Sequence, residues 1–172
     1  IYSYHSSVNV FILDALRTTI TNLHFVISMG RIVVHLFGKP KDTSQSSIID
    51  DYSNRLQSRG VSLKFHSDKK SKLDYEQLLS SFPGKLMLID EKGNQITSKK
   101  LSELVSQILL DSQATNFAIG PPDGFSKEFK SKINNSISLS KMTFTHEMAA
   151  SILLEQLYRA TEIVRGSSYH RE

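Results

Sequence analysis

A chain of 172 residues and 19.4 kDa has room for one domain with one sizeable core, and not for two full-sized domains. Hydrophobic residues at 39%, charged residues at 22% and a mean hydropathy of -0.24 exclude a membrane bundle and a disordered tail, and the absence of cysteine excludes disulfide scaffolds, thiolate-ligated metal sites and covalent cysteine nucleophiles. The 21 Lys+Arg against 17 Asp+Glu give a formal charge of +4 and a pI near 9.2, a mild bias toward a polyanionic partner.

Residues 1–30 hold one acid, Asp14, one base, Arg17, and no glycine before Gly30. The run Val8-Asn9-Val10-Phe11-Ile12-Leu13 is too short for a bilayer, which needs about 20 apolar residues. The segment reads as an N-terminal extension of uncertain role. Its few acids and many Ser, Thr and His suit an organelle-targeting segment, its single arginine does not, and an extra helix or a non-native extension is the alternative.

From Arg31 the pattern becomes regular. Arg31–Phe37 is a β-branched apolar run closed by Gly38 and Pro40, a buried strand. Ile48, Ile49, Tyr52 and Leu56 recur at helical spacing up to Gly60. Val61–Phe65 is a second strand, Asp74–Phe82 a short helix, and Lys85–Asp90 a third strand followed by a turn at Lys92-Gly93-Asn94. A helix capped at Thr97 or Ser98 places Leu101, Leu104, Val105 and Ile108 on one face. Asn116–Gly120 is a fourth strand, Pro121–Gly124 a turn, Phe125–Ile133 a helix and Ser136–Ser140 a fifth strand. A long helix from about Thr145 to Arg165 turns Met148, Ile152, Leu153, Leu157, Ala160, Ile163 and Val164 inward and stops at Gly166. Strands alternating with helices imply an α/β fold, a mostly parallel sheet covered by helices on both faces.

Ligands in such sheets bind beyond the carboxyl ends of the strands, which directs attention to the loops after Ile89, Ile119 and Leu139. Pro121–Gly124 reads alone as an ordinary turn. In the loop Leu139–Phe144, Thr143 or Thr145 caps the long helix, and Met142 and Phe144 read as core residues in the plainest view. Glu155, Gln156, Tyr158 and Arg159 interrupt a helix that is otherwise apolar, and the chain ends Ser168-Tyr169-His170-Arg171-Glu172, which read plainly as a solvated face and a frayed tail. His5, His24, His35 and His66 fall on separate elements without companions at ligand spacing, so no metal site is expected.

Four strings change the weight of these plain readings: Phe117–Ser126 (FAIGPPDGFS), Ile137–His146 (ISLSKMTFTH), Leu153–Ala160 (LLEQLYRA) and Arg165–Arg171 (RGSSYHR). In order and spacing they resemble the ribosomal RNA large subunit methyltransferase H family, small members of the SPOUT class of α/β-knot methyltransferases. The resemblance covers residues 31–172 as a single domain, strongly from Lys85 onward. It implies a carboxyl-terminal trefoil knot in roughly residues 85–172, a homodimer, and transfer of a methyl group from S-adenosylmethionine to N3 of a pseudouridine in large-subunit rRNA, free or in the assembled ribosome. Carried over position by position, it implies cofactor contacts at Ile89, Gly120, Leu139, Ser140, Lys141, Met142, Thr143 and Phe144. Arg159, Tyr169 and His170 match residues tied to substrate binding or activity. No metal and no membrane association are implied, and the location follows the ribosome: cytoplasm in a bacterium, mitochondrion or plastid in a eukaryote.

Chemistry and residues agree. Displacement at a sulfonium methyl is a single step that needs alignment and no covalent intermediate, so the missing cysteine is no obstacle. His170 has the intrinsic pKa of a general base for N3, and Arg159 suits a phosphate or a uracil-ring anion. Where the family carries Gly-Gly after the fourth strand, this chain has Gly120-Pro121, which loses a backbone N–H and leaves a catalytically silent, RNA-binding knot protein as the alternative. No Gly-x-Gly-x-x-Gly or Gly-x-x-x-x-Gly-Lys-Ser/Thr supports a generic nucleotide-binding enzyme. The positive charge is not uniform: residues 31–72 hold nine Lys/Arg against four Asp/Glu and residues 73–172 eleven against twelve. Arg55, Arg59, Lys64, Lys69, Lys70 and Lys72 belong to the first group, which is expected to grip the RNA backbone while the nearly neutral remainder holds the cofactor.

Overall fold

The computed structural model describes residues 32–167, so the N-terminal extension and the expected site residues Tyr169 and His170 lie outside the described residues. The apolar runs form β1 (Ile32–Phe37), β2 (Val61–His66), β3 (Lys85–Gln95), β4 (Thr115–Ile119) and β5 (Ser136–Ser138). Between and after them come the helices α1 (Thr43–Gln57), α2 (Lys72–Ser81), α3 (Ser98–Leu110), α4 (Lys127–Lys132) and α5 (His146–Val164). The strands make one sheet in the order β2-β1-β4-β3-β5, with every pairing parallel.

Period-two alternation splits the sheet between two cores. Ile32, Val34, Leu36, Ile89, Phe117 and Ile119 face Ile49 and Leu56 of α1, Leu101, Val105 and Ile108 of α3, and Leu153, Leu154, Leu157 and Ala160 of α5. On the opposite face, Phe37, Leu86, Leu88 and Ala118 meet Tyr75 and Leu79 of α2 and Phe125 and Phe129 at α4. Helices therefore cover both faces, as the alternation of elements requires. Local chemistry fixes where the helices begin: the side chains of Asp42, Ser71, Thr97, Ser126 and Thr145 each accept from a backbone N–H of the first turn, and Ser71 and Asp74 form a reciprocal capping box. Of the alternatives in the sequence, Thr97 and Thr145 are the caps.

Several sequence expectations are corrected. Met148 and Val164 of α5 are 39% and 40% exposed, because the buried face of α5, packed against α1 and α3, is carried by Ala150, Leu153, Leu154, Leu157 and Ala160. Ile48 of α1 is exposed and Ile49 takes the inward position. Lys92-Gly93-Asn94 is not a free turn. After Ile89 the chain breaks register and rejoins β5, so that Ile137 pairs with both Ile89 and Asn94. A Cβ at Gly93 would stand 2.7 Å from the carbonyl carbon of Ile137, so the crossing of these two backbones depends on a residue without a side chain.

Candidate functional site

At the carboxyl edge of the sheet, where β4 and β5 end beside the register break of β3 after Ile89, lies a cavity of about 310 Å³. Its apolar wall is made by Ile89, Ile119, Phe125 and Leu139. Two loops close it: Gly120–Gly124 after β4, and Ser140, Met142, Thr143 and Phe144 after β5. Of the eight residues expected to touch a cofactor, Ile89, Gly120, Leu139, Ser140, Met142, Thr143 and Phe144 line this cavity and Lys141 does not. Met142, read plainly as a core residue, is 72% exposed and projects at the rim.

The first loop is folded tightly. The N–H of Gly124 donates to the carbonyl of Pro121 at 2.7 Å, and a Cβ on Gly120 would stand 3.2 Å from the nitrogen of Phe125. The loop is also tied to α2, which lies beneath it. Tyr75, almost fully buried, donates its hydroxyl to the carbonyl of Ile119 at 3.1 Å. The buried carboxylate of Glu76 accepts from the N–H and the hydroxyl of Ser126, and Lys72 pairs with Asp123. That hydrogen bond from Lys72 holds the Asp123 carboxyl below the usual carboxylate range. The second loop orders itself: Ser138 Oγ donates to the carbonyl of Ser140 at 2.7 Å, and the N–H of Met142 donates to Ser140 Oγ at 3.0 Å.

The polar lining lies outside the motif residues expected at the site. Asp90 accepts from Lys130 Nζ at 2.9 Å, and Glu91 accepts from Thr143 Oγ1 at 2.7 Å, which links the middle of β3 to the loop after β5. His146, the first residue of α5, also faces the cavity. The signal for Asp90 and Glu91 was present: they are the first two acids beyond an apolar strand, at the edge where ligands bind. An apolar wall beside Glu91, with Asp90 and Asp123 ion-paired to Lys130 and Lys72, suits a ligand with a flat apolar part and a positive charge.

Arg159 is not in this cavity. It sits 13 residues beyond His146 on α5, about 20 Å along the helix axis, and its guanidinium bonds Glu155 at 2.7 Å. The other interruptions of α5 are packed rather than solvated: Gln156 accepts from Ser98 at 2.7 Å, and Tyr158 lies under Arg55 and Arg59. Of the basic cluster in residues 31–72, Arg55 pairs with Asp51, Arg59 with Glu162 and Lys72 with Asp123. His35 and His66, on separate strands, are brought into contact at 2.9 Å, yet among the described residues no group of three or more His, Cys, Asp or Glu could hold a metal ion. Among the described residues no helix is long and apolar enough to cross a membrane.

Comparison with known proteins accounts for this arrangement. Residues 30–170 match the family described as "Predicted SPOUT methyltransferase". The chain is 36% identical over 149 residues to the ribosomal RNA large subunit methyltransferase H of Prochlorococcus marinus, covering 86% of this chain and 100% of that protein. To the protein of the same description from Malacoplasma penetrans it is 32% identical over 156 residues, 82% of this chain and 99% of the other. A match to the Cytophaga hutchinsonii protein reaches 43% identity over 104 residues, 59% of this chain and 65% of that protein. Among solved structures, a "probable methylase family protein" from Haemophilus influenzae Rd KW20 shares the fold with a TM-score of 0.51 at 11% identity, covering 84% of this chain and 72% of the other. With a parallel sheet, a cavity at its carboxyl edge and matches along nearly its whole described length, the chain belongs to the SPOUT methyltransferases, in the ribosomal RNA large subunit methyltransferase H family.

Proposed function

We propose that this protein is a methyltransferase that uses S-adenosylmethionine and acts on N3 of a pseudouridine in large-subunit rRNA. The observation that carries the reading is the convergence of seven expected contact residues, from β3 and from the loops after β4 and β5, on one cavity. The relatives described as ribosomal RNA large subunit methyltransferases support the RNA substrate.

The cavity's chemistry fits the cofactor. Ile89, Ile119, Phe125 and Leu139 offer apolar walls for an adenine ring, backbone groups around Gly120 offer close donors and acceptors, and Glu91 complements a cation. The cofactor, when bound, supplies a methyl group on a positively charged sulfur. The chain's part is alignment and exclusion of water, achieved by two loops that are bonded to α2 and to themselves. His146 faces the cavity and His170 follows α5 in sequence; either imidazole suits removal of the N3 proton, and separate alanine variants distinguish them by their pH–rate profiles.

The knot implied by family resemblance is supported by the double pairing of Ile137 with Ile89 and Asn94, which places β5 against two stretches of β3. A homodimer is proposed with it. Arg159, remote from its own cavity, then serves substrate binding away from the transferred methyl, along the RNA or at the second subunit.

Mass spectrometry of rRNA from cells with and without the protein tests the reading. Loss of one methyl from one pseudouridine is expected, and an unchanged nucleoside profile overturns it. The second reading, a catalytically silent RNA-binding knot protein, draws on Pro121. Calorimetry with S-adenosylmethionine separates the two, since no binding at millimolar cofactor leaves only the second.

A further inference from the structure

Beside the cavity, at the carboxyl ends of β1 and β2, lies a second cleft of about 380 Å³, formed by Lys39–Lys41 on one side and Phe65–Asp68 on the other. The two sites share one edge of the sheet. The N–H groups of Lys41 and Asp42 donate to the carboxylate of Glu147 at 2.8 and 3.4 Å, and Glu147 follows His146, which lines the cavity.

The protonation of His66 in this cleft is fixed by a chain of buried groups. Asn116 Nδ2 donates to the carbonyl of Pro83 at 3.0 Å, so its Oδ1 is the atom that faces His35 Nε2 at 3.0 Å and must accept from it. His35 is fully buried and its pKa is pushed down to about 4, chiefly by that burial, so it is neutral and its Nδ1 is an acceptor. His66 Nε2, 2.9 Å away, is therefore the donor. Burial and the nearby Lys64 and Lys70 lower the His66 pKa as well, which keeps this ring neutral and leaves its Nδ1 unprotonated, a hydrogen-bond acceptor. The cleft is lined as well by Phe65, 37% exposed on the edge strand, and by Lys39 and Lys41. Lys41 is held only at 3.9 Å from Asp68, the one acid of the cleft lining, and its side chain is 84% exposed.

We propose that this cleft binds a nucleotide of the RNA substrate flanking the one in the cavity, with the ribose 2′-hydroxyl donating to His66 Nδ1, the base against Phe65 and the backbone phosphates at Lys39 and Lys41. The inference rests on the proposed RNA methyltransferase reading and deepens it. A neutral imidazole whose Nδ1 accepts while its Nε2 donates to His35, next to cations that can only donate, matches a hydroxyl beside a phosphate. The 2′-hydroxyl is the group that separates RNA from DNA, and an exposed aromatic ring on a basic edge suits an unpaired base.

Fluorescence anisotropy with a single-stranded oligoribonucleotide and its 2′-deoxy counterpart, on the full chain, tests it. Wild-type protein is expected to favour RNA by about fivefold. His66→Leu should bring the two affinities together, and Lys39→Gln with Lys41→Gln should weaken both and lower the salt slope by about 1.4, two phosphates at about 0.7 each. Equal wild-type affinities, an unchanged salt slope in the double variant, or RNA preference retained in a folded His66→Leu overturns the inference; should His66→Leu fail to fold, the wild-type ratio and the double variant decide it. Methyl transfer to rRNA is measured in parallel. Wild-type protein that transfers no methyl overturns the function reading, whereas transfer with an unchanged KM in the double variant overturns only the second site.

Discussion

Glu76, 3% exposed on α2, accepts two hydrogen bonds from Ser126: from its backbone N–H at 2.6 Å and from its hydroxyl at 2.8 Å. Ser126 caps α4 and ends the loop that begins at Gly120, so a single carboxylate fixes the exit of a cavity wall from behind. Glu76→Ala removes both acceptors and is expected to lower stability by about 3 kcal/mol, and to weaken S-adenosylmethionine binding about tenfold through the loosened loop. Glu76→Gln keeps one acceptor oxygen and should show a smaller loss of each. Urea unfolding and calorimetry measure the two quantities, and equal effects of Ala and Gln would show that the carboxylate does not hold the loop.

Glu76 also marks where the sequence ceases to be readable. The alternation of strands and helices, the caps Thr97 and Thr145, and most cavity residues follow from patterns or motifs within a dozen neighbouring residues. Bonds such as Glu76 to Ser126, Lys72 to Asp123 and His35 to His66 join residues 31 to 51 positions apart, and no local spacing encodes them. Gly93 is similar. In sequence Lys92-Gly93-Asn94 has the composition of a turn, and only the approach of Ile137 shows why the glycine is there. The plain reading of Met142 as core failed because a short apolar segment at the edge of a cavity looks like one inside a core, whereas Met142 is 72% exposed at the cavity rim.

The buried His35 predicts a pH dependence. Its pKa is about 4 in the folded protein against an ordinary 6.5, so between those values the unfolded chain holds a proton that the folded chain does not. Stability must therefore fall as pH falls from about 6.5 to about 4, by about 3 kcal/mol across the window. His66, lowered in the same direction, adds to the loss, while Asp74, Asp111 and Asp123, all held below the carboxylate range, contribute only at still lower pH. His35→Phe is less stable at pH 7.5, since Asn116 and His66 lose a partner, but should lose less on going to pH 5. Parallel urea titrations at the two pH values give the comparison; identical slopes in both proteins would place the titration elsewhere.

Gly93→Ala places a methyl group where the backbone of Ile137 already stands, with the carbonyl carbon at 2.7 Å and the nitrogen at 2.8 Å. Neither backbone can yield without moving Ile89 or Leu139, which stand on the cavity wall and flank this crossing. The expected cost is about 3 kcal/mol, at the upper end for overpacking, with cofactor affinity reduced in the protein that still folds. Gly124→Ala is the contrasting case: nothing lies within 4 Å of its Cβ, so its cost comes from its positive φ of 70° alone, about 1 kcal/mol. Thermal melts of the two variants rank the effects, and a Gly93→Ala protein as stable as wild type would contradict the crossing.

Pro121 stands where the family resemblance implies a second glycine, and the geometry of its loop predicts what the exchange does. The turn over residues 121–124 is closed by the Pro121 carbonyl, which accepts from Gly124 at 2.7 Å, and that bond does not require an N–H on residue 121. Pro121 is itself buried, and the preceding Gly120 takes the close approach to Phe125. Pro121→Gly therefore keeps the turn but gives the unfolded chain more freedom, lowering stability by about 1 kcal/mol. It also restores a backbone N–H at the cavity, where a ligand acceptor can use it. If the proline is compatible with catalysis, cofactor affinity changes by less than about threefold, under 1 kcal/mol, and wild-type protein already binds S-adenosylmethionine. A gain of tenfold or more on Pro121→Gly, from a wild type that binds none at millimolar concentration, would instead identify this one residue as the block that silences the site.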